Sequence, residues 1–155
     1  RPDGAIFALI HSELSECLEY LRNGNQPDDH CPELDGATVE LADTAIRIMD
    51  YAEHRGFDLQ EWMEGVIADG DMLAEEGSDY IPDDDGSALF MIHYAVSAAG
   101  DACVRGKHHS KDLLAVVSLA ILDMANARGW DIWHAIEVKA AYNKTRPVKH
   151  GGKKF

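Results

Sequence analysis

Four carboxylates in two short motifs are the residues of this chain best suited to chemistry. Glu13 and Glu16 form E-x-x-E, and Glu40 and Asp43 form E-x-x-D. Either pair alone is commonplace on a solvated helix, so their phase matters more than their spacing. Positions 6, 9, 10, 13, 16, 17 and 20 make one stripe at i+3/i+4 spacing, with Ile6, Leu9, Ile10 and Cys17 as apolar members. Asp43 lies one turn from both Val39 and Ile46, and Glu40 a turn earlier on the same side. The pattern therefore points all four acids inward; a one-position shift of helix phase would instead turn them to water. Two like charges about 4 Å apart repel by about 4 kcal/mol at an effective dielectric of about 20, and desolvation adds to this. Such groups must be protonated or share a cation. An all-oxygen set without E-x-x-H favours Mg²⁺, or Mn²⁺, over zinc or copper.

The elements that must carry these residues are helices. Apolar residues recur at helical spacing over about 5–23, 37–55, 58–68, 87–105, 110–128 and 131–145, with Gly24, Gly56, Gly106, Gly129 and Pro147 as punctuation. Asp58 is a candidate N-cap. Residues 25–35 hold two prolines and read as a loop. The stretch 69–86 holds eight Asp or Glu and no Lys or Arg, and reads as a solvated acidic loop. It lacks the spacing of a calcium-binding EF-hand loop.

The second three helices repeat the first three. "HRGFDL" at 54–59 matches "ARGWDI" at 127–132, and "LIHSELSECLEYLRNG" at 9–24 resembles "MIHYAVSAAGDACVRG" at 91–106. The expected fold is all-α, a single domain over 1–155 built from two three-helix units at about 5–68 and 87–146. The second copy serves as an internal control. Its counterparts of Glu13, Glu16, Glu40 and Asp43 are Ala95, Ala98, Leu113 and Val116. A solvated face has no reason to become apolar, so one acidic cluster per chain is expected.

The last helix shows the reverse asymmetry. Lys139, Asn143 and Arg146 share one face, where the first copy has Val66, Gly70 and Leu73. Carboxylates holding divalent ions, faced by cations, suit a polyphosphate. The ending "HGGKKF", with Lys149 just before it and Lys153 within it, offers a glycine-hinged basic strap.

With these motifs in view, the chain resembles the MazG-like, all-α nucleoside triphosphate pyrophosphatases. The likeness rests on E-x-x-E at 13–16, E-x-x-D at 40–43 and the ending "KAAYNKTRPVKHGGKKF". It implies hydrolysis of a nucleoside triphosphate to the monophosphate and pyrophosphate. It implies Mg²⁺, or Mn²⁺, on Glu13, Glu16, Glu40 and Asp43, which would also be the catalytic set. Phosphate contacts would come from Lys139, Asn143, Arg146, Lys149 and Lys153. A homodimer is also implied, although the duplicated chain departs from members that build one site between identical subunits. Metal-bound hydroxide with one of the carboxylates as base is the expected mechanism, with Asp50 or Glu19 as outer candidates.

Composition excludes several other classes. A net charge of −14 over 155 residues argues against a nucleic-acid polymer as partner. Cys17, Cys31 and Cys103 are an odd set without C-x-x-C, and with His30, His108 and His109 they match no zinc module. No apolar run reaches about 20 residues and no secretory pattern is read, so a cytoplasmic protein is expected. A di-metal oxygen-activating bundle needs E-x-x-H on two helices, and His134-x-x-Glu137 is reversed and single. A non-catalytic helical nucleotide- or metal-binding module is the remaining alternative. Trp62, Trp130, Trp133, Tyr20 and Tyr142 could each stack on a base, so the preferred base is not legible.

Overall fold

The computed structural model describes residues 1–69 and 81–146. Six helices follow one another: α1 (Asp3–Arg22), α2 (Gly36–His54), α3 (Leu59–Asp69), α4 (Asp85–Val104), α5 (Ser110–Arg128) and α6 (Ile132–Thr145). The fold is all-helical, and every expected helix is present with ends displaced by at most a few residues. The middle of the acidic stretch, 70–80, and the basic ending, 147–155, fall outside the described residues, together with Lys149 and Lys153.

Local chemistry accounts for the helix ends. Asp58, Asp84 and Asp131 accept hydrogen bonds from the backbone N–H of Glu61, Ser87 and His134, three residues on in each case. Gly129 closes α5 at φ 68°, where a side chain would be strained, while its N–H returns to the helix carbonyls.

The helices pack so that α2 lies centrally. It packs against α1, α5 and α6, α4 packs on α1 and α5, and α3 packs on α5. Leu14, Leu41, Leu89, Ile92, Leu114 and Ile121 are wholly buried at these seams. Phe7 meets Tyr51 edge-on at 5.2 Å between ring centroids. Between α1 and α4, His11 and His93 stack with their Nδ1 atoms 2.8 Å apart, sharing one hydrogen bond. Burial lowers the pKa of both imidazoles.

By length and composition α4 could cross a membrane, but half of that stretch is buried inside the assembly of helices. Asp85 and Asp101 lie towards its two ends.

The loop before α2 fixes the start of the helix that carries two of the carboxylates. Asn25, in the left-handed region at φ 49°, accepts from the Ala37 N–H, and Gly36 N–H donates to the Gln26 carbonyl. Buried Asp28 accepts from the backbone N–H groups of His30 and Cys31 and from the Tyr20 hydroxyl. At Gly36 an added Cβ would sit 2.1 Å from the Tyr20 ring. Gly36→Ala is therefore expected to destabilise the fold by about 1–3 kcal/mol, measured by urea unfolding. An unchanged midpoint would mean that Tyr20 can leave this contact freely.

Candidate metal centre

Three carboxylates meet where α1 faces α2. Glu13, Glu40 and Asp43 are buried at 7%, 6% and 7% exposure. Each offers an oxygen within 4.8 Å of the others. Glu16 does not join them. It is exposed, accepts from the Ser12 hydroxyl at 3.3 Å, and lies on the rim of the same cavity. The inward placing of Glu16 is thus corrected. The buried apolar stripe of α1 is Phe7, Ile10, Leu14 and Cys17, rotated from the expected one through Ile6, Leu9, Ile10 and Cys17. That rotation leaves Glu13 on the inner edge and Glu16 outside it.

Lys139 and Asn143 reach this cluster from α6. The Lys139 ammonium lies 3.6 Å from Asp43 and 3.9 Å from Glu40, at only 4% exposure. It sits among the carboxylates instead of facing them across open space. The Asn143 amide donates to Asp43 Oδ1 at 3.0 Å. Its own Oδ1 is fully buried and finds no donor among the described residues, an acceptor left over beside the acids. Arg47, one turn past Asp43 on α2, clasps Glu13 through Nε at 2.7 Å and a terminal nitrogen at 2.5 Å.

These residues line one cavity of about 600 Å³, together with Glu16, His30, Asp50, Lys144 and Arg146. The structure therefore brings the acidic motifs and the Lys139–Asn143–Arg146 face into the same space. Asp50 is exposed on the cavity lining, and Glu19 is exposed to solvent. Of the five aromatic candidates, none lines the cavity among the described residues. Tyr142 instead packs against His30 with the rings tilted by 39° and their centroids 4.9 Å apart, and Trp62 lies under the Lys111 ammonium. Sequence reasoning missed Arg47. The available signal was a cation at i+4 from Asp43, on the face already assigned to the acids.

Electrostatics follow from this geometry. Burial pushes the Glu40 carboxyl up to about 8, with Lys139 opposing the shift and Glu13 adding to it. Burial likewise raises Glu13, against the pull of Arg47. Burial alone would lower Lys139, but Asp43 and Glu40 outweigh it and hold the lysine above its ordinary value. Two protein cations, Arg47 and Lys139, offset the inward charge, and burial favours the neutral form of Glu40.

The donor set fits a hard divalent cation. It consists of carboxylate oxygens with a spare amide oxygen beside them, the ligand types Mg²⁺ and Mn²⁺ prefer. Among the described residues, this is the one cluster of three or more Asp, Glu, His or Cys with ligand geometry. The three cysteines are buried and free.

No protein-family profile matches this chain, and no curated protein or solved structure matches it significantly. The chemistry of the site rests on its own residues.

Proposed function

We propose that the protein is a Mg²⁺-dependent nucleoside triphosphate pyrophosphohydrolase of MazG-like type, releasing a monophosphate and pyrophosphate. The observation that carries this reading is the meeting of Lys139 and Asn143 with Asp43 and Glu40 beside Glu13, in one cavity rimmed by Lys144 and Arg146. Helices distant in the chain supply opposite charges to one space large enough for a triphosphate. Bound divalent cations would supply Lewis acidity and a water of lowered pKa. Glu13, Glu40 and Asp43 would hold them, with Glu16 offering a further oxygen from the rim. Lys139 keeps Glu40 and Asp43 oriented, and Arg146 on the cavity lining meets phosphate charge. Lys149 and Lys153 belong to the same proposal as further phosphate contacts.

Duplication of a three-helix unit is part of the reading, and five observations support it. The helices run 20, 19 and 11 residues, then 20, 19 and 14. α3 packs on α5 as α6 packs on α2. Arg55 pairs with Asp3 and Arg128 with Asp85, at corresponding positions of the two halves. His11 and His93, also corresponding, face each other. In the second half Ala95 and Val116 are buried where Glu13 and Asp43 stand in the first.

One observation favours a second reading, a non-catalytic helical module that binds nucleotide or metal. All three buried carboxylates already contact a protein cation or amide donor, so the cluster could serve as an internal ion-pair network. Incubation with Mg²⁺ and a panel of nucleoside triphosphates, with products resolved by phosphorus NMR, separates the two. Monophosphate plus pyrophosphate is the expected result. Orthophosphate plus diphosphate contradicts it, and absence of turnover on every nucleotide leaves the binding module standing.

A further inference from the structure

We propose that Arg47 is a displaceable counter-ion: it holds Glu13 in the metal-free protein, and a divalent cation arriving there releases its guanidinium to an incoming polyphosphate. This inference rests on reading the cavity as a metal-dependent triphosphate site, and it adds a link between metal loading and anion binding.

The geometry of the pair suits such an exchange. Both Arg47 contacts fall on Oε1 of Glu13. The guanidinium therefore does not make the two parallel bonds, one to each oxygen, that give arginine–carboxylate pairs their full strength. The Arg47 side chain is 29% exposed while that of Glu13 is 9% exposed, so the cation end borders the open cavity. Lys139 is different. At 5% side-chain exposure between Glu40 and Asp43, it is far less accessible than Arg47. Among the cavity's protein cations, Arg47 is thus the one that both occupies a buried carboxylate and borders open space.

Metal and guanidinium compete for the same oxygen of Glu13. A polyphosphate offers the released guanidinium two parallel acceptor oxygens, a better partner than one oxygen of a shared carboxylate. Each ligand therefore favours the other, and such coupling is reciprocal.

Two measurements on the full chain test this. Mn²⁺ binding, followed by electron paramagnetic resonance without added anion, is expected to be about tenfold tighter in Arg47→Met than in wild type. Equal or weaker binding in the variant overturns the proposal and leaves Arg47 as a residue that positions Glu13. Tripolyphosphate binding in EDTA, followed by calorimetry, is expected to be about tenfold tighter in Glu13→Gln, and adding Arg47→Met should abolish that gain. A gain that persists without Arg47 overturns the proposal. The second measurement decides alone if Arg47→Met does not fold, because Glu13→Gln removes an inward charge. Absence of Mn²⁺ binding in wild type sinks the metal-site reading instead, while the tripolyphosphate comparison still reports on Arg47.

Discussion

Replacing Glu40 with Gln is expected to abolish metal-dependent turnover while making the metal-free fold more stable in alkaline solution. The two effects share one cause. Glu40 is 6% exposed, and burial raises its carboxyl to about 8 from an ordinary value of 4.5. Between those values the folded protein keeps a proton that the unfolded chain has lost. Stability contributed by the neutral group is present below about pH 4.5 and declines as pH rises through 8, by up to about 1.4 kcal/mol per pH unit. The neutral amide of Glu40→Gln removes that decline, so unfolding midpoints in EDTA should fall less steeply with pH in the variant. Loss of a ligand should lower kcat/KM by at least about a hundredfold, since disturbing only the partners of metal ligands costs roughly ten- to a hundredfold. A variant that keeps wild-type turnover would remove Glu40 from the site. Parallel stability–pH curves would show that Glu40 does not retain its proton.

Lys139→Met is expected to give the largest loss of stability of any change at the site. The ammonium is almost wholly enclosed and lies 3.6 Å from Asp43 and 3.9 Å from Glu40. Removing one partner of a buried ion pair strands the other in a poor solvent, at a cost of about 3–5 kcal/mol. The groups left behind are Asp43 and the proton-bearing Glu40, both already close to Glu13. A divalent cation supplies the missing charge, so saturating Mg²⁺ should recover more stability in Lys139→Met than in wild type. Urea unfolding with Mg²⁺ and with EDTA measures both effects. A loss of less than about 1 kcal/mol would mean that water reaches Lys139 and its partners more freely than their burial implies.

The helices were legible in the sequence because their stops are chemically explicit. Asp58 was readable as an N-cap, and glycines close the helices at Gly24, Gly56, Gly106 and Gly129, all at positive φ. The burial of Glu13, Glu40 and Asp43 was legible through the apolar residues that surround them and through the alanine, leucine and valine at their counterparts. Glu16 was misplaced for a geometric reason. Three residues turn a helix by about 300°, so a motif with three-residue spacing spreads over an arc wide enough to leave one member outside. Ile6 and Leu9 belonged to the expected α1 stripe, whereas Phe7 and Leu14 join Ile10 and Cys17 in the buried one. That distinction depends on where α2 and α4 lie, which periodicity within α1 cannot report.

The partners of the carboxylates were only partly legible. Lys139 and Asn143 stood out because their own counterparts are uncharged, but contact with residues a hundred positions away in the chain is a tertiary fact. Arg47 escaped notice because an arginine at i+4 from an aspartate reads as an ordinary pair within one helix. Its guanidinium crosses to Glu13 on α1 instead. The stacked His11 and His93 escaped for the same reason, since neither position is informative until α1 and α4 are brought together.

The most direct measurement is a calorimetric titration of Mg²⁺ into the wild-type chain and into Glu40→Gln at pH 8. The cluster of Glu13, Glu40 and Asp43 exists, on this account, to hold a divalent cation. Wild type should then bind Mg²⁺ saturably, with proton release as Glu40 ionises, and Glu40→Gln should lose most of that affinity. Absence of binding in wild type, or equal binding in both proteins, would contradict it and leave the buried acids as an ion-pair network that only holds α1, α2 and α6 together.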